Sequence, residues 1–289
     1  MDIQTQQYTV ILFYKFVRID DPDALMRSQK EVCQKLNLKG RMLIANEGVN
    51  GTFEGTAEEI EGYKNDLRRD SRFSDVVFKE SKGDGQAFSK LKVKVRDEIV
   101  TLGVGQLDIK KDTAKEISAD ELEALYKKNE DFVVLDLRND YEIDVGYFDR
   151  TVDPRLRNFR DLPEKLEELK KYKNKKVIAV CTGGVRCEKA TCLLTKEGFT
   201  DIYQLKDGIH TYMQKYPGKN FKGTLFVFDN RVMTPVVDTP DREIVGECSF
   251  CRVPCENVMN DDSGKLSVKV ICCAKCALTE GKHLRKYTS

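Results

Sequence analysis

Lys176-Val177-Ile178-Ala179-Val180 runs without a break into Cys181-Thr182-Gly183-Gly184-Val185-Arg186, and a helix-like segment follows from Cys187 to Glu197. A strand with four successive apolar residues, Val177 to Val180, feeding a glycine-containing loop and then a helix is the signature of an α/β unit. In such a unit the strand's carboxyl end and the helix's amino end meet at one loop. Main-chain N–H groups and the positive end of the helix favour an anion there. Cys181 occupies the first loop position, so its sulfur is expected to be held partly as thiolate, the reactive form of cysteine, and to be reachable at the tip of the sheet. The expectation from the residues alone is a thiol enzyme.

The same alternation spreads outward from this loop. Ser118-Ala119-Asp120-Glu121 is a capping box that opens an amphipathic helix carrying Leu122, Leu125 and Tyr126. Phe132 to Leu137 is a continuous apolar strand, as expected where helices cover both faces of a parallel sheet. A charged helix is expected from Pro163 to Tyr172, and a further strand over Ile202-Tyr203-Gln204-Leu205 before Asp207-Gly208-Ile209. Upstream, Tyr8 to Val17 reads as a strand and Asp20-Asp21-Pro22-Asp23 as the start of a helix over Ala24 to Leu38. Arg41 to Ala45 and Val49 to Phe53 flank the turn Asn46-Glu47-Gly48. Thr56-Ala57-Glu58-Glu59 caps a helix to about Arg69, and Val76 to Lys79 and Lys92 to Val95 close the set. Strand, helix, strand, strand, helix, strand is the order of a ferredoxin-like α+β domain. The expected division is a ferredoxin-like domain at 1–105, an α/β domain at 118–217 and a small cysteine-rich region at 221–289.

At 289 residues the chain is long enough for two or three domains. Hydrophobic residues make up 40% and charged residues 34%, and the longest apolar runs are far too short to span a bilayer, so no membrane association is expected. Net charge is +1, so any nucleic-acid contact must come from a local basic face, and no DNA partner is expected. Met1 to Gln7 have neither a basic start nor an apolar stretch of signal-peptide length. The ten cysteines therefore read as thiols and metal ligands in a reducing cytoplasm.

Six of the ten lie between 221 and 289. Cys248-x-x-Cys251 and Cys273-x-x-Cys276, with 21 residues between the pairs, match the two knuckles of a structural zinc site. Cys255 and Cys272 are extra, which leaves the ligand set open, and free thiols or disulfides are the other readings. Arg155, Arg157 and Arg160 cluster after an α/β strand, where they could hold phosphates or form a solvated loop. The Asn46–Gly51 stretch reads first as hairpin chemistry and second as a polar turn against RNA or over the cysteine pocket.

Cys181 has three readings. It could simply end a core strand. It could belong to a phosphatase, but such loops place five residues between cysteine and arginine, and here Thr182 to Val185 are four. The third is a rhodanese loop, shorter and suited to sulfur carried as a persulfide. Val134-Leu135-Asp136-Leu137-Arg138, Val145-Gly146-Tyr147-Phe148 and Asp207-Gly208-Ile209-His210-Thr211-Tyr212 resemble rhodanese landmarks, although Tyr147 stands where many rhodaneses carry histidine. Gly40 to Thr52, placed before a rhodanese domain with Cys181 to Ala190 and Asn158-Phe159-Arg160-Asp161-Leu162-Pro163, is similar to the rhodanese-domain tRNA uridine(34) hydroxylases. That resemblance implies oxygen-dependent conversion of the wobble uridine of tRNA to 5-hydroxyuridine, with molecular oxygen as co-substrate and Cys181 as the active cysteine. Arg186 is then expected to stabilise negative charge, its alternative being an ion pair to Glu188 or Glu142. Cys187 could resolve an oxidised Cys181, or be a small first-turn helix residue. A sulfurtransferase using Cys181, and a non-catalytic adaptor, are the competing functions.

Overall fold

The computed structural model describes residues 7–238, 242–264, 267–280 and 282–287. By its internal contacts the chain forms two compact units, Met1–Thr101 and Leu102–Thr288.

In the first unit, β1 (Tyr8–Phe16), α1 (Pro22–Lys35), β2 (Lys39–Ala45), β3 (Gly48–Thr56), α2 (Ala57–Arg69), β4 (Lys79–Gly83) and β5 (Leu91–Val95) build one five-stranded sheet in the order β4-β1-β3-β2-β5. The first four strands have the ferredoxin-like arrangement, and β5 adds an outer strand parallel to β2. The caps act as the sequence indicates: Asp21 accepts from the Ala24 N–H, and Thr56 with Glu59 forms the capping box of α2. Ile11, Phe13, Met42, Ile44 and Phe53 meet Ile60, Tyr63 and Leu67 of α2 in the core. The strand expected at Val76 begins later, at Lys79. Val76 is drawn into a turn by donating to Phe73 O (3.1 Å), and pairing starts only where Lys79 faces Leu12. The Asn46–Glu47 turn serves the unit itself: Asn46 Nδ2 donates to Ile19 O (2.9 Å) and Glu47 accepts from the Ile99 N–H (2.7 Å).

The second unit contains α3 (Ile109–Asp112), β6 (Lys115–Ile117), α4 (Ala119–Lys127), β7 (Phe132–Asp136), α5 (Asp140–Ile143), β8 (Gly146–Phe148), β9 (Thr151–Val152), α6 (Leu166–Leu169), β10 (Lys176–Val180), α7 (Val185–Lys196), β11 (Ile202–Leu205) and α8 (Gly208–Lys215). Its sheet is parallel with order β6-β11-β10-β7-β9, which places the apolar β10 at the centre. Pro163 and its surroundings do not make the single helix expected to Tyr172. Phe159–Lys165 and Lys170–Tyr172 are 3₁₀ turns on either side of the four-residue α6.

Downstream come β12 (Phe221–Gly223), β13 (Leu225–Phe226), β14 (Met233–Thr234), β15 (Val258–Asp261), β16 (Val268–Ile271), α9 (Ala274–Thr279) and β17 (Leu284–Lys286). β12 pairs with β8, so the chain entering the cysteine-rich segment is stitched to the α/β sheet's flank. Cys248, Cys255, Cys272 and Cys276 share one apolar core with Phe226, Tyr287, Tyr141 and Val145, the last two from α5 and the residues after it. Among the described residues no helix is long and apolar enough to cross a membrane.

Candidate functional site: a buried thiolate and a four-sulfur cluster

Cys181 leaves the carboxyl end of β10, and Gly184 is the cap of α7. Gly184 sits at φ 104°, a left-handed conformation that L side chains adopt only with strain. That turn brings its N–H back onto Cys181 Sγ at 3.1 Å. Burial alone would push the thiol up. The Cys187 thiol donating to the sulfur, the Arg186 charge and the amides of Cys187 and Arg186 outweigh it and draw Cys181 down to about 6. Cys187 is driven well above the ordinary thiol range by burial and by the neighbouring sulfur, so it stays protonated and acts as the donor. The loop is also held from α8: Ile209 N–H donates to Cys181 O (2.9 Å) and His210 N–H to Thr182 O (3.1 Å). Gly208 makes this possible, since a Cβ there would stand 2.7 Å from both carbonyl oxygens.

Arg186 is buried and engaged in a fork with Glu142, Nη1 to Oε1 at 2.7 Å and Nη2 to Oε2 at 3.0 Å, with a further bond to Thr182 Oγ1 (3.1 Å). Its guanidinium lies 5.9 Å from the Phe228 ring centroid. The two expectations for Arg186 therefore coexist: it pairs with Glu142, in the interior rather than at the surface, and its charge still favours the Cys181 anion. Glu142 is fixed in turn. Its carboxylate accepts from the Asn139 N–H (2.9 Å), and its carbonyl accepts from Arg138. Arg138 and Asp136 form a completely buried pair at the end of β7, and Arg138 also donates to Gly146 O at 2.6 Å. The Asp136-x-Arg138 spacing was visible in the sequence. That Glu142, whose carbonyl Arg138 holds, would be the carboxylate that meets Arg186 was not, because Glu142 and Arg186 lie 44 positions apart.

One expectation is corrected. Cys181 has 0% exposure, closed in by the loop's own turn and by the amino end of α8, so the sulfur is ionised but not reachable in this conformation. Any substrate atom that meets it must first displace part of that cover.

The three arginines do not act alike. Arg155 is spoken for: its guanidinium reaches Asp144 (2.6 Å) and Asp153 (3.1 Å), and its N–H donates to Asp153. It borders a cavity lined by Tyr141, Asp144, Tyr147, Arg252 and Lys269. Arg157 and Arg160 are exposed and form no ion pair among the described residues.

Cys248, Cys251, Cys273 and Cys276 are brought together, with all four sulfurs within 4.8 Å of one another. Four thiolates on one tetrahedral ion at about 2.3 Å place their sulfurs about 3.8 Å apart, so the set fits a metal such as zinc with little adjustment. The Cys276 N–H donates to Cys273 Sγ (3.4 Å) within the second knuckle turn, and the Cys273 N–H donates to Cys248 Sγ (3.3 Å), tying the two knuckles together. Cys255 and Cys272 stand outside the set. The Cys272 thiol points to Cys273 O, and both residues are pushed up by burial first. All ten cysteines are unbridged. Cys192 is buried in α7.

Comparison with known proteins agrees with this anatomy. Residues 8–99 match the family described as "UPF0176 acylphosphatase like domain", residues 118–215 the "Rhodanese-like domain" and residues 222–284 the "Rhodanase C-terminal". Among solved structures, a rhodanese-like domain protein from Staphylococcus aureus is similar at 28% identity and TM-score 0.30, covering 34% of this chain and 90% of that one. A "tRNA uridine(34) hydroxylase" of Staphylococcus carnosus is 39% identical over 93% of this chain and 90% of its own length. Proteins of the same name from Bacillus licheniformis (40% identical; 98% of this chain, 87% of that protein) and from Aster yellows witches'-broom phytoplasma (41%; 92% and 87%) are similar over comparable spans. With both the cysteine loop and the N-terminal unit inside those alignments, the chain belongs to the tRNA uridine(34) hydroxylase family.

Proposed function

We propose that the chain hydroxylates the uridine at position 34 of tRNA to 5-hydroxyuridine, taking the oxygen atom from O₂, with Cys181 as the reacting group and Arg186 as its charge partner. The observation that carries this is a sulfur held as thiolate near neutral pH, with a protonated thiol and an arginine beside it. The name borne by relatives matching nearly the whole chain supplies the substrate.

Placing one atom of O₂ into the C5–H bond leaves the other to become water, which takes two electrons and two protons. A thiolate and a thiol passing to a disulfide supply the two electrons and one of the protons, the other coming from solvent, and Cys181 with Cys187 are the adjacent pair. A cellular thiol then reduces the disulfide. Arg157 and Arg160 meet tRNA phosphates, while Arg155, tied to Asp144 and Asp153, orders the segment that presents them. The four-sulfur cluster takes a structural zinc, since four thiolates fill every position and leave none for a substrate. Its neighbours in the core include Phe226, two residues before the Phe228 that lies over Arg186. A tRNA substrate places the reaction in the cytoplasm. The domain limits that fit these roles are 1–105, 118–217 and 221–289.

The test is mass analysis of tRNA nucleosides from a strain lacking the protein, restored with the wild type or with Cys181→Ala. Restoration by the wild type alone is expected. Equal 5-hydroxyuridine from both removes the cysteine from the chemistry, and none from either removes the reaction.

A further inference from the structure

The sheet of the first unit has two unlike faces. Ile11 and Phe13 face α2, so strand alternation turns Tyr8, Val10, Leu12 and Tyr14 the other way. Register carries that second face across the sheet. Leu12 stands opposite Thr52, Thr52 opposite Arg41, and Arg41 opposite Lys92, with Leu43 opposite Lys94 one step along. No helix of this unit packs on it. At one end Asp84–Lys90 crosses from β4 to β5: Glu54 accepts from the amides of Asp84, Gly85 and Ala87, and Ala87 and Phe88 pack on Val10. At the other end Asn50 Nδ2 donates to Ile99 O (3.0 Å).

Between the two ends lies a concentration of positive charge. Lys90, Lys92 and Lys94 alternate along one edge, about 6.6 Å from one to the next, with Arg41 on the neighbouring strand. Arg41 rests over the Phe88 ring (6.0 Å), and its Nη2 is buried without a hydrogen-bond partner among the described residues. Arg41, Lys90 and Lys94 form no ion pair among the described residues. Glu54, a carboxylate on this face, is consumed by three main-chain amides. Lys92 is held below the usual lysine range first by burial and then by Lys90, Arg41 and Lys94. Like charges gathered this way repel, and an anion from outside relieves them.

We propose that this face receives the sugar–phosphate backbone of the tRNA, with Arg41, Lys90, Lys92 and Lys94 as a row of phosphate contacts; it rests on tRNA being the substrate. A regular row of cations on a rigid strand suits a polymer with charges at regular intervals. Partly exposed Leu43, beside Lys94 on the neighbouring strand, offers apolar surface for a sugar or base. The contacts read backbone and carry affinity rather than choice of sequence.

The test uses the full chain and an unmodified tRNA transcript. Lys92→Gln/Lys94→Gln is expected to raise Kd about tenfold near 0.1 M salt and to lower the slope of log Kd against log salt by ~0.7–0.9 for each charge removed. A wild-type Kd and slope in a double variant that melts like the wild type overturns the proposal. So does weakened binding of poly-glutamate with tRNA binding intact, which would mark a protein dock. If the double variant melts early, Lys90→Gln/Lys94→Gln, at two exposed positions, is held to the same criteria. A wild-type chain that binds tRNA with the full salt slope yet makes no 5-hydroxyuridine defeats the hydroxylase reading and leaves this surface standing.

Discussion

The second unit holds two cysteine sites that solve opposite problems. At Cys181 one sulfur is surrounded by donors: the Gly184 amide, the Cys187 thiol and the Arg186 charge stabilise an anion with no metal needed. At Cys248, Cys251, Cys273 and Cys276 four sulfurs face one another within 4.8 Å, and a cation between them would let all four ionise. Sulfur chemistry is therefore set by what converges on the atom. A lone thiolate among amides is a reagent, whereas four around a metal are a staple for a segment too small to hold itself together.

The sharpest way to separate the sites is to remove one sulfur from each. Cys181→Ala should lower 5-hydroxyuridine formation by roughly 10³-fold or more while leaving metal content as in the wild type. Nucleoside mass analysis beside metal analysis reads both. Parallel loss of metal would show that the two sites are not distinct. Cys248→Ser should do the reverse to the protein: bound zinc falls toward none per chain and melting drops by roughly 10 °C, because the core shared with Phe226 and Tyr141 loses its anchor. Zinc retained at one per chain would reject the ligand set.

Arg186→Lys is a finer probe. It keeps the charge and gives up the fork to Glu142, so the Cys181 midpoint should rise from about 6 toward the ordinary thiol range. The readout is labelling by a small alkylating agent against pH. For the wild type the rate should climb with a midpoint near 6 and level off above it, since the thiolate reacts, although burial keeps the absolute rate low. The linkage has the matching sign. A thiol whose folded pKa is depressed contributes stability that is fully present above the ordinary thiol range and is lost as pH falls toward 6. A labelling midpoint of 8 or higher in the wild type would remove the ionised sulfur. The smallest effect belongs to Cys272→Ser, which should leave zinc at the wild-type level and cost about 1 kcal/mol of stability. Zinc lost there would move Cys272 into the ligand set.

Much of this was legible along the chain. The capping boxes at Ser118 and Thr56, the central apolar strand ending at Val180, the strand–helix alternation and the paired knuckles are local patterns, and local chemistry decides them. The Asp136-x-Arg138 and Cys181-to-Arg186 spacings also pointed to the right loop. The stretch from Pro163 to Tyr172, expected as one helix, is instead the short α6 between two 3₁₀ turns, so even a local reading can fail.

Left to itself, the amino-acid order established which elements form, which loop gathers amides around a cysteine, and which six cysteines compete for a metal. Folding in three dimensions decided that Arg186 meets Glu142 44 positions away, that Arg155 is spent on Asp144 and Asp153, that Cys181 is covered, and which four sulfurs converge. It also lined up Arg41 with Lys92 across two strands. The reason is physical. Propensities and caps act within a few residues, whereas burial and the fields that set a pKa depend on which distant elements dock together.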